Sequence, residues 1–390
     1  MDGIDAMGYE TATPVQEQVI PAIINGKDVI AAAQTGTGKT AAFLLPVIHK
    51  LITMPHEGHK INCMIIVPTR ELAVQIAQTL DGIAYFTPIS SIAVYGGGGG
   101  DLFAAERKAL SSGVDIVICT PGRMISHLNM GYVKLDSLKY LILDEADRML
   151  DMGFFEDLIK IISYMPKERQ NLLFSATMPA AIRKLANTLL KNPIEVNIAI
   201  SKPPEQIAQQ VYYVFDAQKM PLVKFILKQV EYESVLVFCS SKISVKQLSE
   251  ELRRSKFSAD QIQSDLEQDK REQVLLDFKN HKLRILVATD ILSRGIDIED
   301  IDLVINYDVP HDGEDYIHRI GRTARAATKG TAITLVSEKE QYKFRKIEQL
   351  LGIPVPPQVV PAQFGAGPVP GEAPATGPKK KRYNKFKKKG

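Results

Sequence analysis

The sequence predicts an α/β chain of two tandem domains, each a mostly parallel sheet flanked by helices, with a disordered basic tail behind them. Apolar runs of four to six residues recur along the chain. Each is followed by a polar turn and then a helical pattern, the alternation that builds parallel α/β units. The runs fall into two sets of similar design, and 390 residues with 45% hydrophobic content can bury two cores of ordinary size.

The first set lies at 29–32, 64–67, 116–119, 140–143 and 171–174, and the second at 235–239, 285–288, 303–305 and 331–336. Between them Lys202-Pro203-Pro204 interrupts the pattern. A first domain is therefore expected over 1–200, a linker over 201–210 and a second domain over 211–353. From Pro354 onward the chain is rich in Pro, Gly and Ala and ends in a basic cluster, a composition that cannot bury a core. Residues 354–390 are expected to be disordered.

Composition narrows the function classes. No apolar run approaches a membrane span, and Met1-Asp2-Gly3-Ile4-Asp5 lacks the basic and apolar regions of a signal peptide, so a cytoplasmic protein is expected. Cys63, Cys119 and Cys239 stand apart in strand-like runs without metal-ligand spacing and read as small buried hydrophobes. The net charge of +3 conceals an asymmetry, because the last twelve residues carry eight Lys or Arg and no acid. That cluster also contains Tyr383 and Phe386. A solvated extension and a localisation patch are open readings; basic residues interleaved with aromatics also suit a nonspecific nucleic-acid tether.

The chemistry concentrates after the apolar runs. Ala33-Gln34-Thr35-Gly36-Thr37-Gly38-Lys39-Thr40 follows the first run and precedes a helical stretch over 41–51. Small residues there let consecutive backbone N–H groups turn toward phosphate oxygens, and the helix presents its positive end. Lys39 would reach the outer phosphates and the Thr40 hydroxyl would sit on Mg2+. Ala33 stands where the usual pattern has Gly. A Gly-Lys-Thr stretch alone also fits an ordinary turn, but Asp144-Glu145-Ala146-Asp147 ends the fourth run. Asp144 would hold Mg2+, partly through water, and Glu145 is placed to polarise a water for attack on a γ-phosphate. Asp147 reads either as a coupling residue or as a charge opening a helix at Arg148. Together these segments describe a nucleoside triphosphatase.

The two halves carry related chemistry at their strand ends. Val67-Pro68-Thr69-Arg70 matches Phe238-Cys239-Ser240-Ser241-Lys242, and Cys119-Thr120-Pro121-Gly122 matches Ala288-Thr289-Asp290. Hydroxyls and amides at the carboxyl ends of parallel strands are where such sheets bind ligands. Only the first half has a phosphate cradle. In the second, His318-Arg319-Ile320-Gly321-Arg322-Thr323-Ala324-Arg325 repeats Arg every third position, which would direct guanidinium groups to one side if a helix opens there. An exposed basic helix is the plain alternative.

Over residues 8 to about 350 the chain closely resembles the DEAD-box family of ATP-dependent RNA helicases, in superfamily two, with the layout of bacterial RhlE-like members. The motifs occur in family order. They are Gly8-Tyr9 with Thr13-Pro14-Val15-Gln16, the cradle, Pro68 to Ala73, Gly96-Gly97, Thr120 to Arg123, Asp144 to Asp147, Ser175-Ala176-Thr177, Gln268 with Arg271, Val287 to Ile298, and His318 to Arg325.

The resemblance implies two RecA-like domains that close over ATP and Mg2+ while gripping RNA by its backbone, with little sequence specificity. Tyr9, Gln16, residues 33–40 and Asp297 would face the nucleotide. Lys39, Asp144, Glu145, Arg322 and Arg325 would carry the catalysis. Pro68, Thr69, Arg70, Gly96, Gly97, Thr120, Pro121, Gly122, Arg123, Gln268, Arg271, Thr289 and Arg294 would grip RNA. Asp147, Ser175 and Thr177 would couple nucleotide state to RNA; without the resemblance Ser175 and Thr177 read equally as a strand-end turn before Pro179. The family also implies a monomer away from membranes, with ribosome-assembly or RNA-decay proteins as partners. Its adenine-stacking aromatic would fall ahead of Met1, implying a start upstream or a weaker adenine grip.

The expected activity is RNA-stimulated ATP hydrolysis coupled to local, nonprocessive duplex unwinding or ribonucleoprotein remodelling. A nucleotide-switched RNA clamp is the alternative in another functional class. A DNA-directed motor is disfavoured by the Gln16 element and Asp147, and a signalling GTPase by the lack of a guanine-reading Asn-Lys-x-Asp element.

Overall fold

The computed structural model describes residues 2–33, 36–54, 58–97, 99–198, 207–263, 265–289, 301–311, 313–323, 330–352 and 354–371. The chain divides into two compact units, one built on Met1–Pro204 with short later stretches, the other on Glu205–Ile262 and most of the remaining chain. Each unit contains one sheet.

The first sheet comprises β1 (Val29–Ala32), β2 (Cys63–Ile66), β3 (Ser91–Val94), β4 (Ile116–Cys119), β5 (Tyr140–Leu143), β6 (Gln170–Ser175) and β7 (Ile194–Asn197), in the order β3-β4-β2-β5-β6-β1-β7. Every pairing is parallel. Side chains alternate between its faces: Cys63, Ile65 and Ile142 pack into one core, Met64, Ile66, Leu141 and Leu143 into the other. Two buried faces explain the continuous apolar runs of the central strands.

The second sheet comprises β8 (Ile207–Tyr213), β9 (Val235–Cys239), β10 (Ala259–Ile262), β11 (Ile285–Thr289), β12 (Leu303–Asn306) and β13 (Gly330–Val336), in the order β10-β11-β9-β12-β13-β8. It too is parallel throughout.

The apolar runs identify every inner strand to within a residue or two and miss β3, β7, β8 and β10. These four are the edge strands of the two sheets. An edge strand is covered less completely, and β7 and β10 show it as polar sequences, Ile-Glu-Val-Asn and Ala-Asp-Gln-Ile. Two expected boundaries shift for related reasons. Residues 207–210, expected in the linker, begin β8.

Residues 354–371, expected to be disordered, lie against the second unit. Val355 is buried, Pro357 forms a bridge with Val211 of β8, and the Gln358 N–H donates to the Val211 carbonyl at 2.7 Å. Phe364 meets Phe225 edge-on, and Gln218 Nε2 donates to the Phe364 carbonyl at 2.7 Å. Proline costs little here because an extended segment along an edge leaves its nitrogen no obligatory bond to make. The basic cluster at 379–390 lies outside the described residues.

All three cysteines are buried as free thiols, and burial pushes the Cys63 and Cys119 thiols far above their ordinary range. Among the described residues no helix is long and apolar enough to cross a membrane.

Candidate functional site

The strand order sorts the motifs of the first unit into two groups. Adjacent strands β5, β6 and β1 end at the acidic box, at Ser175 and at the phosphate cradle. Adjacent strands β3, β4 and β2 end at Gly96-Gly97, at Thr120 and at Pro68-Thr69. Both groups therefore occupy the carboxyl edge of one sheet, side by side.

In the cradle, Ala33 is buried and donates its N–H to the Ser175 carbonyl at 3.0 Å. Its methyl group belongs to the apolar core, which is why Gly is not needed there. Gly36 and Gly38 are needed, since their φ angles are +80° and +88°. A Cβ on Gly38 would lie 2.6 Å from Gln16 Nε2, the atom that donates to the Gly38 carbonyl at 3.1 Å. Gln16 also accepts from the Thr13 N–H at 3.0 Å, so its amide is oriented from both sides. Helix Lys39–Thr53 starts at once, and Lys39 Nζ donates to the Ala33 carbonyl at 2.7 Å. Thr40 lies in its first turn. Tyr9 sits further out and keeps about a third of its surface exposed. Gln34 and Thr35 lie outside the described residues.

At the end of β5, Asp144 is 3% exposed and its Oδ1 accepts the Glu145 N–H at 2.9 Å. Burial pushes its carboxyl up to about 6, opposed by the nearby Lys39 charge and reinforced by those of Glu145 and Asp147. Glu145 has a φ of +50°, an uncommon conformation for a residue with a Cβ, and heads helix Ala146–Asp151. Its Oε2 is buried and makes no hydrogen bond among the described residues; Arg148 Nη1 lies 3.9 Å away. Asp147 is in the first helical turn and also part of a closed ring. Thr177 donates its N–H to Asp147 Oδ2 at 3.0 Å, Ser175 Oγ donates to the Thr177 carbonyl at 2.7 Å, and the Asp147 N–H donates to Ser175 Oγ at 3.3 Å.

These groups fit a phosphate-bound divalent cation. A buried carboxylate with a raised pKa and a carboxylate oxygen without a hydrogen bond are both satisfied by a cation and its water. Among the described residues no cluster of three metal-ligating side chains occurs. A cation held by one carboxylate, one hydroxyl and substrate phosphates requires none.

At the other group, Thr69 caps helix Arg70–Ala84 by accepting the Leu72 N–H at 3.3 Å, and follows Pro68 at the end of β2. The Arg70 guanidinium lies 4.7 Å over the Tyr95 ring, just before Gly96 and Gly97. Gly97 has a φ of +94°. Thr120 and Pro121 open helix Pro121–Asn129, on which Gly122 and Arg123 follow. Arg123 Nε donates to Glu106 Oε2 at 2.7 Å. Glu106, Tyr95 and His127 belong to no motif and were not singled out by the sequence. A signal existed: Glu106 stands four residues before Leu110, at helical spacing on an apolar face.

Later in the chain Gln268 opens helix Gln268–Lys279 and Arg271 lies one turn further on, both in a stretch that groups with the first unit, while Thr289 ends β11 in the second. Arg294, Asp297 and Arg325 lie outside the described residues. Through Thr323, the last described residue of the arginine-rich segment, the chain closes a helix and opens none. Helix Gly313–Ile320 stops where the Gly321 N–H donates to the Ile317 carbonyl at 2.8 Å, and Thr323 Oγ1 turns back to the Ile320 carbonyl. Arg319, in the last turn, is 3% exposed and bonds Asn306 Oδ1 at 3.0 Å and the Asp308 carbonyl at 2.9 Å. Arg322 follows in the turn and stays partly exposed. The regular spacing therefore leaves Arg319 and Arg322 in different surroundings, one inside the helix's last turn and buried, the other beyond its end and partly exposed.

Comparison with known proteins agrees with this arrangement. Residues 13–185 match the family model of the DEAD/DEAH box helicase, and residues 218–327 that of the helicase conserved C-terminal domain. The chain is 42% identical over 347 residues to the ATP-dependent RNA helicase CshA of Listeria monocytogenes, covering 89% of this chain and 66% of the relative. It is 40% identical over 361 residues to the ATP-dependent RNA helicase DbpA of Bacillus subtilis, covering 92% and 74%. The chain thus spans about two thirds to three quarters of the length of these relatives. The solved structure of S. cerevisiae Dbp5 bound to RNA and ADP BeF3 superposes with a TM-score of 0.81 at 28% identity, covering 92% of each chain. With both family models matched in order and the motif residues grouped at the carboxyl edge of a parallel sheet, the chain belongs to the DEAD-box family of ATP-dependent RNA helicases.

Proposed function

We propose that the protein hydrolyses ATP in response to RNA and uses the cycle to separate or remodel short RNA duplexes locally, without processive travel. The observation that carries this reading is the sorting of motifs along the first sheet, with Lys39, Asp144 and Glu145 in one group and Thr69, Arg70, Thr120 and Arg123 in the adjoining one.

Gln16 reads the adenine edge, since a side-chain amide both accepts from and donates to it. The backbone over 33–38 and Lys39 receive the phosphates. Thr40 and Asp144 hold Mg2+, which neutralises charge on the phosphate oxygens when bound. Glu145 orients the attacking water and draws on its proton, while Arg322 and Arg325 answer the charge on the γ-phosphate and Asp297 faces the nucleotide. Asp147, Ser175 and Thr177 form the link through which the acidic box and the end of β6 move as one.

Thr69, Arg70, the Gly96-Gly97 turn, Thr120, Gly122 and Arg123 hold the RNA backbone, joined by Gln268, Arg271, Thr289 and Arg294 from later in the chain. Sugar and phosphate contacts position without reading bases, and the 2′-OH selects RNA over DNA. A continuous duplex does not match a grip shaped for a bent single strand, so one strand is expelled. The tail at 379–390 tethers RNA nonspecifically. We read the site of action as the cytoplasm and the acting species as a monomer.

The decisive experiment measures ATP turnover by the purified chain with RNA and with DNA of the same sequence. RNA should stimulate far more, and Glu145→Gln should abolish turnover while RNA is still retained in the presence of ATP. Equal stimulation by both nucleic acids would sink the RNA reading. Strand separation that fails with ATP, despite RNA-stimulated turnover, would favour the clamp.

A further inference from the structure

The first unit buries a carboxylate that no motif contains. Glu106 and Leu110 are the two buried residues of helix Gly100–Ser112. Glu106 is 0% exposed, and so is His127 beside it. An isolated carboxylate in such a place is costly, and an apolar side chain would pack the same helix at less expense.

Three donors converge on it. Its Oε1 accepts the Tyr95 backbone N–H at 3.2 Å; its Oε2 accepts from Arg123 Nε at 2.7 Å and lies 2.9 Å from His127 Nε2. His127 is held in turn. Its Nδ1 bonds the Tyr132 hydroxyl, and Phe103, one turn before Glu106, stacks on its ring with centroids 4.4 Å apart and planes 13° from parallel. The Arg123 guanidinium lies 4.5 Å over the Phe103 ring. Arg123 is therefore gripped at Nε and along one face. Its Nη2 is buried and makes no hydrogen bond among the described residues.

We propose that Glu106 is a positioning residue for RNA binding: fixed by His127 and the Tyr95 N–H, its carboxylate aims the Arg123 guanidinium at the RNA backbone. This rests on the reading of Arg123 as an RNA contact. A guanidinium has many rotamers, and one already held in place loses less freedom on meeting a phosphate. The short charged bond to Glu106 and the stack on Phe103 leave Arg123 with one orientation and with donor capacity still to spend.

The test is the RNA dependence of ATP turnover by the full chain, using one defined single-stranded RNA. Arg123→Ala should raise the half-saturating RNA concentration. Glu106→Ala should raise it about tenfold, while the maximal rate and the KM for ATP stay within about twofold. Glu106→Gln keeps an oxygen that accepts from Arg123 but loses the charge, so a rise of about threefold is expected. The double variant Glu106→Ala/Arg123→Ala should be no worse than Arg123→Ala, because Glu106 acts through Arg123.

Wild-type half-saturation in both Glu106 variants, with Arg123→Ala impaired, would overturn the proposal and leave the RNA reading standing. Additive losses in the double variant would also overturn it, marking Glu106 as a packing residue. If Arg123→Ala itself binds RNA normally, the reading of Arg123 fails and this inference with it. Should Glu106→Ala not fold, Glu106→Gln decides alone, and a wild-type value overturns the idea.

Discussion

Thr177 donates its backbone N–H to Asp147 Oδ2 at 3.0 Å, thirty residues back along the chain. With Ser175 Oγ completing the ring, the last carboxylate of the acidic box and the end of β6 form one hydrogen-bonded unit. A displacement of helix Ala146–Asp151 cannot leave β6 behind without breaking these bonds.

Ser175→Ala removes the hydroxyl from that ring and strips the Asp147 N–H and the Thr177 carbonyl of a partner. The first unit should lose about 1–2 kcal/mol in denaturant unfolding. Strand separation should fall more than ATP turnover. Parallel losses of both activities would argue against a coupling role.

Gly38→Ala meets two obstacles, a φ of +88° and a Cβ 2.6 Å from Gln16 Nε2. The backbone strain alone costs about 1–2 kcal/mol. Displacing Gln16 should weaken adenine nucleotides at least tenfold, read by titration with a fluorescent ATP analogue. Gly36, with nothing among the described residues within 4 Å of its Cβ position, suffers the strain without the collision, so Gly36→Ala should be the milder variant.

Asp144 makes the nucleotide-free protein less stable as pH rises. Its folded pKa of about 6 lies above the unfolded value, so the folded state binds the extra proton between the two, and stability is lost from about pH 4 up to about pH 6. Asp144→Asn removes that penalty. In a chelator at pH 7.5 it should be more stable than wild type by roughly 2–3 kcal/mol, shrinking to about a third of that at pH 4.5. It should not turn over ATP. An equal gain at both pH values would mean that the carboxylate's burial is not the cause.

Truncation separates the two parts of the C-terminal segment. Removing 354–390 uncovers the surfaces that Val355 and Phe364 pack against and should lower the Tm of the second unit by roughly 5 °C. Removing only 379–390 should leave the Tm alone. The shorter deletion should instead weaken RNA binding and flatten its salt dependence, by about 0.7 in slope for each phosphate that the tail neutralises. Unchanged affinity at low salt would remove the tether from the account.

Much of the fold was legible because burial on both faces leaves a local trace. The inner strands announced themselves as apolar runs, and the cradle, the acidic box and Ser175-Ala176-Thr177 could be read because each is a short contiguous segment at a strand end. Edge strands such as Ile194–Asn197 left no such trace. Arg319 and Arg322 look alike in sequence, yet one is spent inside the second unit on Asn306 and the other lies beyond the end of the helix.

By itself the sequence determined the succession of α/β units, the phosphate cradle with its acidic partner and the family resemblance, since all of these reside in local pattern and spacing. Only the tertiary structure decided the strand order that sets the two motif groups side by side, the packing of 354–371 and the burial of Glu106 against Arg123 and His127. Each depends on which distant groups meet. A hydrogen bond between Glu106 and Arg123, or between Thr177 and Asp147, is a property of where folding brings them, and no periodicity in the chain records it.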